Sequence, residues 1–404
     1  MIISNELNEN KKEFFISLLL ISIPITFIIG SSVINVTIVL IDLYFLYILF
    51  KNKDLKFLNN RYFFSLIVLW IYLIINLFFS INFIESLPRS IGFIRFILFA
   101  FAINYFFLKK SRTVQIEILN AWTFIFLFVS IDLIFEFIFG FNFFGFVSPF
   151  EGRLGGVFGE ELKIGHFYSA FVLVILFNLQ NFLRNKSYND YFFYTLVVSF
   201  LLISLIIGER SNFLKTFLIV FFFILIFDNR NFFKKIVSVF LLLIALSTLI
   251  YTNKDYKVRF WGAGIKALSN PIESVLNSKY GSHYKVAIQV FQNNKLFGVG
   301  LKNYRLEVIK NKYVGDPSIH PHQTHFEIIS ELGLIGYIFF ISVFFFILLQ
   351  SLKSYLSEKD NLKLCGILFI IISLAPLLPS GSFFTTYGAA LFWFNFSFIL
   401  PKNT

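Results

Sequence analysis

The chain has 404 residues, of which 57% are apolar and 14% are charged, and its mean hydropathy is +0.77. A soluble domain carries about 25% charged residues and could not bury this much apolar surface, so the composition excludes a soluble enzyme. The formal net charge of +12 would suggest nucleic-acid binding in a soluble protein. In a membrane protein this charge is distributed between the two sides of the membrane, so we expect no nucleic-acid partner.

Apolar segments bounded by charged or turn residues predict twelve membrane-spanning helices. A span needs ~20 apolar residues, so twelve spans use ~240 residues and leave the rest for loops. In chain order the predicted spans are 14–30, 33–50, 62–80, 91–108, 118–138, 164–183, 191–207, 212–227, 236–251, 326–349, 364–378 and 385–400. The sequence therefore predicts an all-α polytopic membrane protein, with residues 1–404 forming a single integral membrane domain.

Lysine and arginine residues are divided unevenly between the predicted loops. With the N-terminus in the cytoplasm, cytoplasmic segments hold eighteen of these residues and the short external segments hold four. Positive charge accumulates on the cytoplasmic side, so both termini are predicted to be cytoplasmic. Residues 252–325 then form a large periplasmic loop between spans nine and ten. Helical patterns at 258–268, 284–292 and 304–309 predict that this loop is a small helical lid.

Three of the five histidines, His320, His322 and His325, lie within six residues just before the tenth span. The proline between the first two keeps them out of a helix, whereas the third begins one. A neutral imidazole at the external membrane surface can accept a proton from a sugar hydroxyl, so the cluster is a candidate catalytic centre. Two alternatives stay open: the rings line the membrane interface, or they bind zinc together with Glu327 or Asp316.

Charged residues at the edges of the spans are expected to face the bundle interior, because lipid exposure is costly. Arg210 lies in the tight external turn between spans seven and eight, where a guanidinium either binds an anion or forms a local pair with Glu209. Arg153 lies in the glycine-rich external turn 152–159, which either lines a cavity or is a plain interhelical turn. Arg95 is expected to form a structural pair with Asp132 or Glu136.

Residues 322–336, His-Gln-Thr-His-Phe-Glu-Ile-Ile-Ser-Glu-Leu-Gly-Leu-Ile-Gly, resemble the signature His-Asn-x-x-Leu-Glu-x-x-x-Glu-x-Gly-x-x-Gly of the O-antigen ligase and O-antigen polymerase family. The Gly-Val-Gly at 298–300 is similar to the family's Gly-x-Gly, and the turn 152–159 is similar to its Arg-x-x-Gly-x-Phe-Gly turn. Glu-Arg-Ser at 209–211 stands where the family has Ser-Arg. The resemblance covers roughly residues 80 to 400.

The resemblance implies two catalytic residues. His322 aligns with the family histidine and would act as the base, and Arg210 aligns with the family arginine and would stabilise the leaving group. Gln323 replaces the family's asparagine, His325 occupies a position that is usually apolar or aromatic, and Glu327 matches the first glutamate of the signature. These three residues belong to the implied substrate-binding set.

The implied substrate-binding set also includes Arg153. Its last member is a residue that replaces the family's second external arginine. That arginine aligns near residues 281–283, where this chain has none. His283, Arg259 and Arg305 are the candidates to replace it.

The resemblance implies transfer of a glycan from undecaprenyl pyrophosphate to a hydroxyl acceptor at the periplasmic face of a bacterial inner membrane. The acceptor would be lipid A core for a ligase and a lipid-linked repeat for a polymerase. The transfer would be a direct, inverting displacement that uses no metal and no cofactor. The alternative is a lipid-linked oligosaccharide flippase or another polysaccharide transporter, which should show charged residues at mid-bilayer depth and paired broken helices. Here the polar residues of interest concentrate at one external face, which favours an enzyme.

Overall fold

The computed structural model describes residues 2–183, 189–227, 277–315 and 318–401, together with isolated residues between 240 and 273. In this part of the chain all regular elements are helical. The α-helices are α1 (Ile2–Ile29), α2 (Ser31–Lys51), α3 (Arg61–Asn76), α4 (Phe83–Gly92), α5 (Ile94–Lys109), α6 (Arg112–Phe139), α7 (Ile164–Leu183), α8 (Asn189–Ile206), α9 (Arg210–Phe227), α10 (Lys279–Asn293), α11 (Tyr304–Lys310), α12 (Thr324–Glu358), α13 (Asn361–Ser373) and α14 (Thr386–Phe396).

Every predicted span outside residues 228–251 coincides with a helix. Within the described residues, seven helical segments are long and apolar enough to cross a membrane, and three shorter apolar helices accompany them: Phe14–Ile29, Asp190–Ile206 and Asn361–Ser373. The ninth predicted span and the first predicted helix of the lid, 258–268, lie largely outside the described residues. The multi-span helical fold class is thus confirmed, whereas the count of twelve spans and the external position of the loop stay predictions.

The fourth apolar segment begins earlier than predicted, at Phe83. Asn82 caps this helix, because its side-chain oxygen accepts a hydrogen bond from the Glu85 N–H at 3.2 Å. Ser86 and Ser90 on α4 are buried, and the Ser86 hydroxyl donates to the Leu301 carbonyl at 2.8 Å. The polar residues that suggested a loop therefore pack against the segment that follows α10.

The centre of the bundle is formed by helices that are apolar around most of their circumference. All residues of α5 from 99 to 107 are buried, and most of α7, α13 and α14 is buried as well. Trp393 of α14 packs against Phe93 and Phe396 with ring centroids 5.7 and 4.8 Å apart. The outer helices α2 and α3 bury only one stripe each, which is the pattern of helices at the lipid boundary.

The acidic side chains of α6 differ from the sequence expectation. Backbone N–H groups of the loop after α6 donate to Asp132 at 2.8 Å and to Glu136 at 3.1 and 2.6 Å. Arg95 interacts electrostatically with Asp42 of α2 rather than with either of them. The expected Arg95 pair was wrong because buried carboxylates can be satisfied by nearby backbone donors, which a sequence pattern does not show.

Helix α12 is interrupted at Gly333, whose φ of 68° and ψ of −172° are not helical. The segment 295–300 packs against the backbone of α12 at this break. Two of its N–H groups donate to α12 carbonyls before the break at 3.0 and 2.7 Å, and two α12 N–H groups after the break donate to segment carbonyls at 2.8 and 3.2 Å. A side chain at Gly333 or Gly298 would collide with the opposing backbone, and both residues have positive φ, so only glycine fits.

Helices α10 and α11 confirm two of the predicted helical patterns of the loop. Together with the segment 295–300 they enclose a small apolar core of six buried residues: Val286, Ala287, Val290, Val299, Tyr304 and Val308. Tyr284 of α10 stacks on Phe326 of α12 with ring centroids 4.6 Å apart. This core fixes α10 against the first turns of α12, where the histidines lie.

Candidate functional site

The segment 318–323, which we term the histidine loop, leads directly into α12. Gln323 is the N-cap of that helix: its side-chain oxygen accepts from the Phe326 N–H at 3.0 Å, and its amide donates to the Ala375 carbonyl at 3.5 Å. An amide at this position therefore holds the start of α12 and ties it to the end of α13. In this structure Gln323 orients the loop.

His322 has a left-handed backbone with φ of 58°, which is rare for a residue with a side chain. The Ser380 N–H donates to its carbonyl at 2.8 Å, and its Nε2 lies 3.1 Å from the Ser318 hydroxyl. If the hydroxyl donates, Nε2 carries the lone pair; if Nε2 donates, the lone pair is on Nδ1. Strain of this kind is kept where the surroundings hold the residue in a required orientation.

Three imidazoles come together at this point. The ring of His283, from α10, stacks on that of His322 with centroids 5.0 Å apart and an interplanar angle of 27°. The ring of His320 lies 3.9 Å from that of His322. Tyr280 approaches His322 edge-on at 5.9 Å. Of the two candidates for the missing arginine position that the structure describes, His283 and Arg305, His283 stacks on His322.

The surroundings keep both loop histidines neutral at pH 7. Burial, followed by repulsion from His320, His283 and Lys279, lowers the pKa of His322 to about 4. Burial, followed by repulsion from His283, lowers the pKa of His320 to about 4 as well. A neutral imidazole has one nitrogen lone pair and can accept a proton.

His325 takes a different direction from the other two histidines. Its Nε2 donates to the Leu374 carbonyl at 2.7 Å, so its Nδ1 accepts from the Tyr337 hydroxyl at 3.1 Å. Both ring nitrogens are occupied by protein partners. The ring connects α12 to the C-terminal end of α13.

Glu327 is buried one turn into α12 and holds the loop between α13 and α14. It accepts hydrogen bonds from the Ser382 hydroxyl and from the Phe383 N–H, the latter at 2.7 Å. Arg89 of α4 interacts electrostatically with Glu327 and with Glu331, which lies one turn further along α12. Arg89 belongs to no motif of the sequence, and its position in the first turns of an apolar segment is the one signal that could have identified it.

Arg153 and Arg210 lie on two turns that contact each other. The Leu154 N–H donates to the Ile207 carbonyl at 3.1 Å, and a side chain on Gly208 would collide with the backbone of the 152–153 turn. Arg210 is the first residue of α9 and is exposed, and the Arg153 guanidinium lies 5.9 Å from the ring of Phe150. The structure thus places two cationic turns side by side.

Arg305 lies next to α4. It forms an ion pair of 2.7 Å with Glu85 of α4, and both side chains are more than a third exposed. Arg259 lies outside the described residues.

A cavity of about 490 Å³ opens beside the histidine loop. Its wall includes His320 and Thr324 from the loop and the start of α12, and Asn212 and Lys215 from α9. The remainder of its polar wall comes mainly from the start of α7 and from the α13–α14 loop. The cavity therefore lies between the histidine loop and α9, the helix that begins at Arg210.

Sequence reasoning missed three residues that line this cavity. Lys163 and His166 stand before and in the first turn of α7, and Tyr387 lies in the first turn of α14. Each is separated from the histidine loop by many residues and belongs to no local motif. Their contribution could be recognised only from the packing of the helices.

The zinc alternative has no support in the geometry. Among the residues that the structure describes, no three His, Cys, Asp or Glu side chains are grouped so that they could hold a metal ion. Glu327 faces Ser382, and Asp316 lies outside the described residues.

The part of the chain that contains the histidine loop matches a known protein family. No curated protein sequence matches the chain. Residues 193–341 match the family model described as O-antigen ligase. This range contains Arg210, the helices α10 and α11, the histidine loop and the interrupted first half of α12. Over this range the chain is similar to the O-antigen ligase family.

Proposed function

We propose that the protein transfers a glycan from undecaprenyl pyrophosphate to a hydroxyl acceptor, with His322 as the base. The family match supports a glycan-transfer activity of this general kind. The observation that carries the assignment of His322 is its strained backbone beside a cavity, with its imidazole kept neutral by burial. His320, whose ring contacts that of His322, is part of the cavity wall.

In the proposed step the acceptor hydroxyl oxygen attacks the anomeric carbon of the donor sugar. The bond between that carbon and the phosphate oxygen breaks, and undecaprenyl pyrophosphate leaves with the electron pair. The hydroxyl proton passes to the free nitrogen of His322. Because attack and departure occur on opposite faces of the carbon, the product has inverted configuration.

A base with a pKa near 4 is fully deprotonated but weakly basic. Binding of an anionic donor next to His322 favours the protonated imidazole and so raises its pKa towards the ordinary value near 6.5. The anion of the substrate would therefore make the base stronger at the moment when it is needed.

Arg210 and Arg153 are the proposed cationic residues at the entrance. Their turns pack together, and a guanidinium can donate two parallel hydrogen bonds to phosphate oxygens. Charge stabilisation of the leaving diphosphate by arginine requires no metal ion, so we expect transfer to continue in the presence of a chelator.

The remaining residues of the predicted substrate-binding set take supporting roles in this proposal. Gln323, His325 and Glu327 hold the histidine loop and α12 in place through the contacts described above, and His283 supports the ring of His322. They would act on substrate through the orientation of His322.

The proposed orientation places this site at the periplasmic face of an inner membrane. The charge bias of the loops supports it, because the histidine loop and the start of α9 precede spans that run towards the lysine-rich side. Donor and acceptor glycans would meet there without a nucleotide sugar.

The test is the replacement His322→Gln, which keeps a polar side chain of similar size and removes the basic nitrogen. A positioned base contributes about 10²- to 10⁴-fold, so transfer from a lipid-linked donor should fall by at least 100-fold at equal protein level. The matched control is His320→Gln, the neighbouring imidazole, which should keep more activity. Near-parental transfer by His322→Gln, with normal elution of the purified protein, would refute the assignment.

A further inference from the structure

A second cavity, of about 770 Å³, lies at the other end of the bundle from the histidine loop. Its wall includes Asp360 and Leu362 at the start of α13, whereas His325 contacts the opposite end of α13 through the Leu374 carbonyl. A helix of 13 residues extends over ~20 Å, so this cavity and the histidine loop are well separated. The distribution of lysine and arginine in the loops predicts that this end of the bundle is cytoplasmic.

Helix α6 forms one side of this second cavity with its first three turns. The lining residues of α6 recur at intervals of three and four, which places them on one face of the helix: Arg112, Gln115, Ile116, Leu119 and Asn120. The Gln115 side-chain amide donates to two carbonyls at the end of α5, at 3.0 and 3.1 Å. The N-terminus of α6 is therefore held in place at the cavity wall.

The start of α6 offers two kinds of hydrogen-bond donor to an anion. Arg112 is the first residue of this 28-residue helix, so its guanidinium lies close to the N–H groups and the partial positive charge of the helix N-terminus. Both bind phosphate oxygens well. Among the described residues that line the cavity Arg112 is the one cation, and the nearby Lys109 is paired with Asp54 at 2.6 Å. A phosphate at this wall would therefore depend on Arg112.

Asn104 of α5 adds an unpaired acceptor to the same wall. Only 6% of this residue is exposed, and its Nδ2 donates to the Ser397 carbonyl at 3.0 Å, which identifies the other atom of the amide as the oxygen. That oxygen is buried and has no hydrogen-bond partner within the described part of the chain. Buried polar atoms are nearly always paired, and an amide oxygen can only accept. A ligand that pairs with Asn104 must therefore carry a hydrogen-bond donor.

The apolar part of the wall reaches the surface of the bundle. Ile116 and Phe182 line the cavity and are 45% and 78% exposed, at the ends of two helices that are long and apolar enough to cross a membrane. Exposed apolar side chains at such positions contact lipid. Further apolar residues continue this surface inwards: Ile103, Phe107, Leu119, Phe177 and Phe398. A lipid can therefore place its phosphate at the start of α6 and its acyl chains against the apolar wall.

We propose that this second cavity binds a membrane phospholipid whose headgroup carries hydrogen-bond donors beside its phosphate, as in phosphatidylethanolamine and phosphatidylglycerol. Arg112 and the N-terminus of α6 bind the phosphate, and Asn104 accepts from the ammonium or hydroxyl group. The described wall also contains one carboxylate, that of Asp360, which accepts from the Leu362 N–H at 3.1 Å. One cation and one carboxylate do not select for a net charge, so recognition depends on the donors of the headgroup. This site is independent of the proposed transfer, and its volume lies in the usual range of ligand pockets, ~300–1,000 Å³.

The experiment titrates the purified, delipidated full chain in detergent with four probes: phosphatidylethanolamine, phosphatidylglycerol, phosphatidylcholine and glycerol 3-phosphate. A ligand that binds the folded state raises the midpoint of thermal unfolding, and the half-saturating probe concentration measures its affinity. We expect the first two lipids to bind about tenfold more tightly than phosphatidylcholine, because its quaternary ammonium has no hydrogen to donate. Glycerol 3-phosphate has the phosphate and the hydroxyls but no acyl chains, so it should bind more weakly than any of the lipids.

Two variants separate the contributions of the headgroup. Arg112→Gln should weaken all three lipids by about tenfold, because it removes charge-assisted hydrogen bonds to the phosphate that they share. Its matched control is Arg61→Gln, which alters the exposed first residue of α3, outside the cavity wall, and should bind every probe like the parent. Asn104→Leu should reduce the affinity for phosphatidylethanolamine and phosphatidylglycerol to that for phosphatidylcholine, whose own affinity should not change.

The outcomes decide both the site and the source of its ligand. Equal affinities of the parent for the three lipids, or equal effects of Arg112→Gln and Arg61→Gln, overturn the proposal. Binding of glycerol 3-phosphate as tight as that of the lipids overturns the lipid and assigns the cavity to a soluble phosphate ester. If Asn104→Leu does not fold, the comparison of the lipids in the parent and the pair of arginine variants still decide the proposal.

Discussion

His322 combines three properties that a catalytic imidazole needs: a fixed backbone, a defined ring position and a neutral charge state. The carbonyl bond from Ser380, the stack on His283 and the contact with Ser318 supply the first two. Burial supplies the third by lowering the pKa. The three come from different parts of the chain, so none of them follows from the histidine-rich run alone.

The pH dependence of transfer follows from this charge state. Because the pKa of free His322 is lowered to about 4, chiefly by burial, the base stays deprotonated well below pH 6.5. The acid limb of kcat/KM, which reports the free enzyme, should lie near pH 4. The acid limb of kcat should lie at higher pH, because the bound anion raises the pKa of His322. Transfer rates measured between pH 3.5 and 8 check both; an acid limb of kcat/KM at pH 6.5 or above would contradict the assignment.

At the scale of elements, the break in α12 predicts that two glycines cannot be replaced without loss of stability. Gly298→Ala and Gly333→Ala each place a side chain against backbone at a residue with positive φ, so each should cost at least about 2 kcal/mol of unfolding free energy. Gly381→Ala is the control, since a side chain there meets only His166 at 3.8 Å. Thermal unfolding of the purified variants in detergent gives the comparison, and equal midpoints for Gly333→Ala and Gly381→Ala would show that the break does not need glycine.

The electrostatic contact between α4 and α12 gives a second prediction at this scale. Arg89→Gln removes a partly buried cation that interacts electrostatically with the buried Glu327 and Glu331, and it should lower the free energy of unfolding more than Arg305→Gln does. Arg305→Gln breaks the exposed pair with Glu85 and should cost less than about 1 kcal/mol. Unfolding by a denaturing detergent compares the two. A loss from Arg305→Gln as large as that from Arg89→Gln would mean that the buried carboxylates do not depend on Arg89.

At the scale of the whole molecule, α12 is longer than a bilayer requires. Its 35 residues extend over ~50 Å, whereas a hydrocarbon core is ~30 Å thick. Its first turns, up to Gly333, pack against α10 and the segment 295–300. We therefore expect these turns, and the histidine loop attached to them, to lie outside the core of the membrane.

The topology can be tested with fusions on either side of this long helix. Reporters joined after Lys310 and after Lys359 should report opposite sides, periplasmic for the first and cytoplasmic for the second, because lysine and arginine are concentrated on the latter side. Alkaline phosphatase and green fluorescent protein activities give the readout. A cytoplasmic signal from the Lys310 fusion would place the histidine loop on the wrong side for a periplasmic transferase.

Individual residues show which features of the site the sequence predicted and which it did not. The run of histidines predicted the site at the histidine loop, and the resemblance left three candidates for a missing arginine. Of the two candidates that the structure describes, His283 stacks on His322. Gln323, His325 and Glu327 stay predicted substrate-binding residues. In the structure each also makes hydrogen bonds that hold α12 in place, and these contacts could not be read from the sequence because side-chain direction within one turn of helix depends on what packs there. Lys163 and Tyr387 carried no signal at all.

The sequence by itself determined the helical membrane class, the positions of the described helices and the loop that holds His322. These depend on local properties: an apolar segment in a membrane must satisfy its own backbone hydrogen bonds, and it does so as a helix. Only the tertiary structure decided that the segment 295–300 packs into the break of α12, that Arg95 interacts with Asp42, and that residues of α7, α9 and α14 line one cavity beside the histidine loop. Helices in lipid gain little from apolar contact alone, so their arrangement depends on close packing at glycines and on polar contacts between residues distant in sequence.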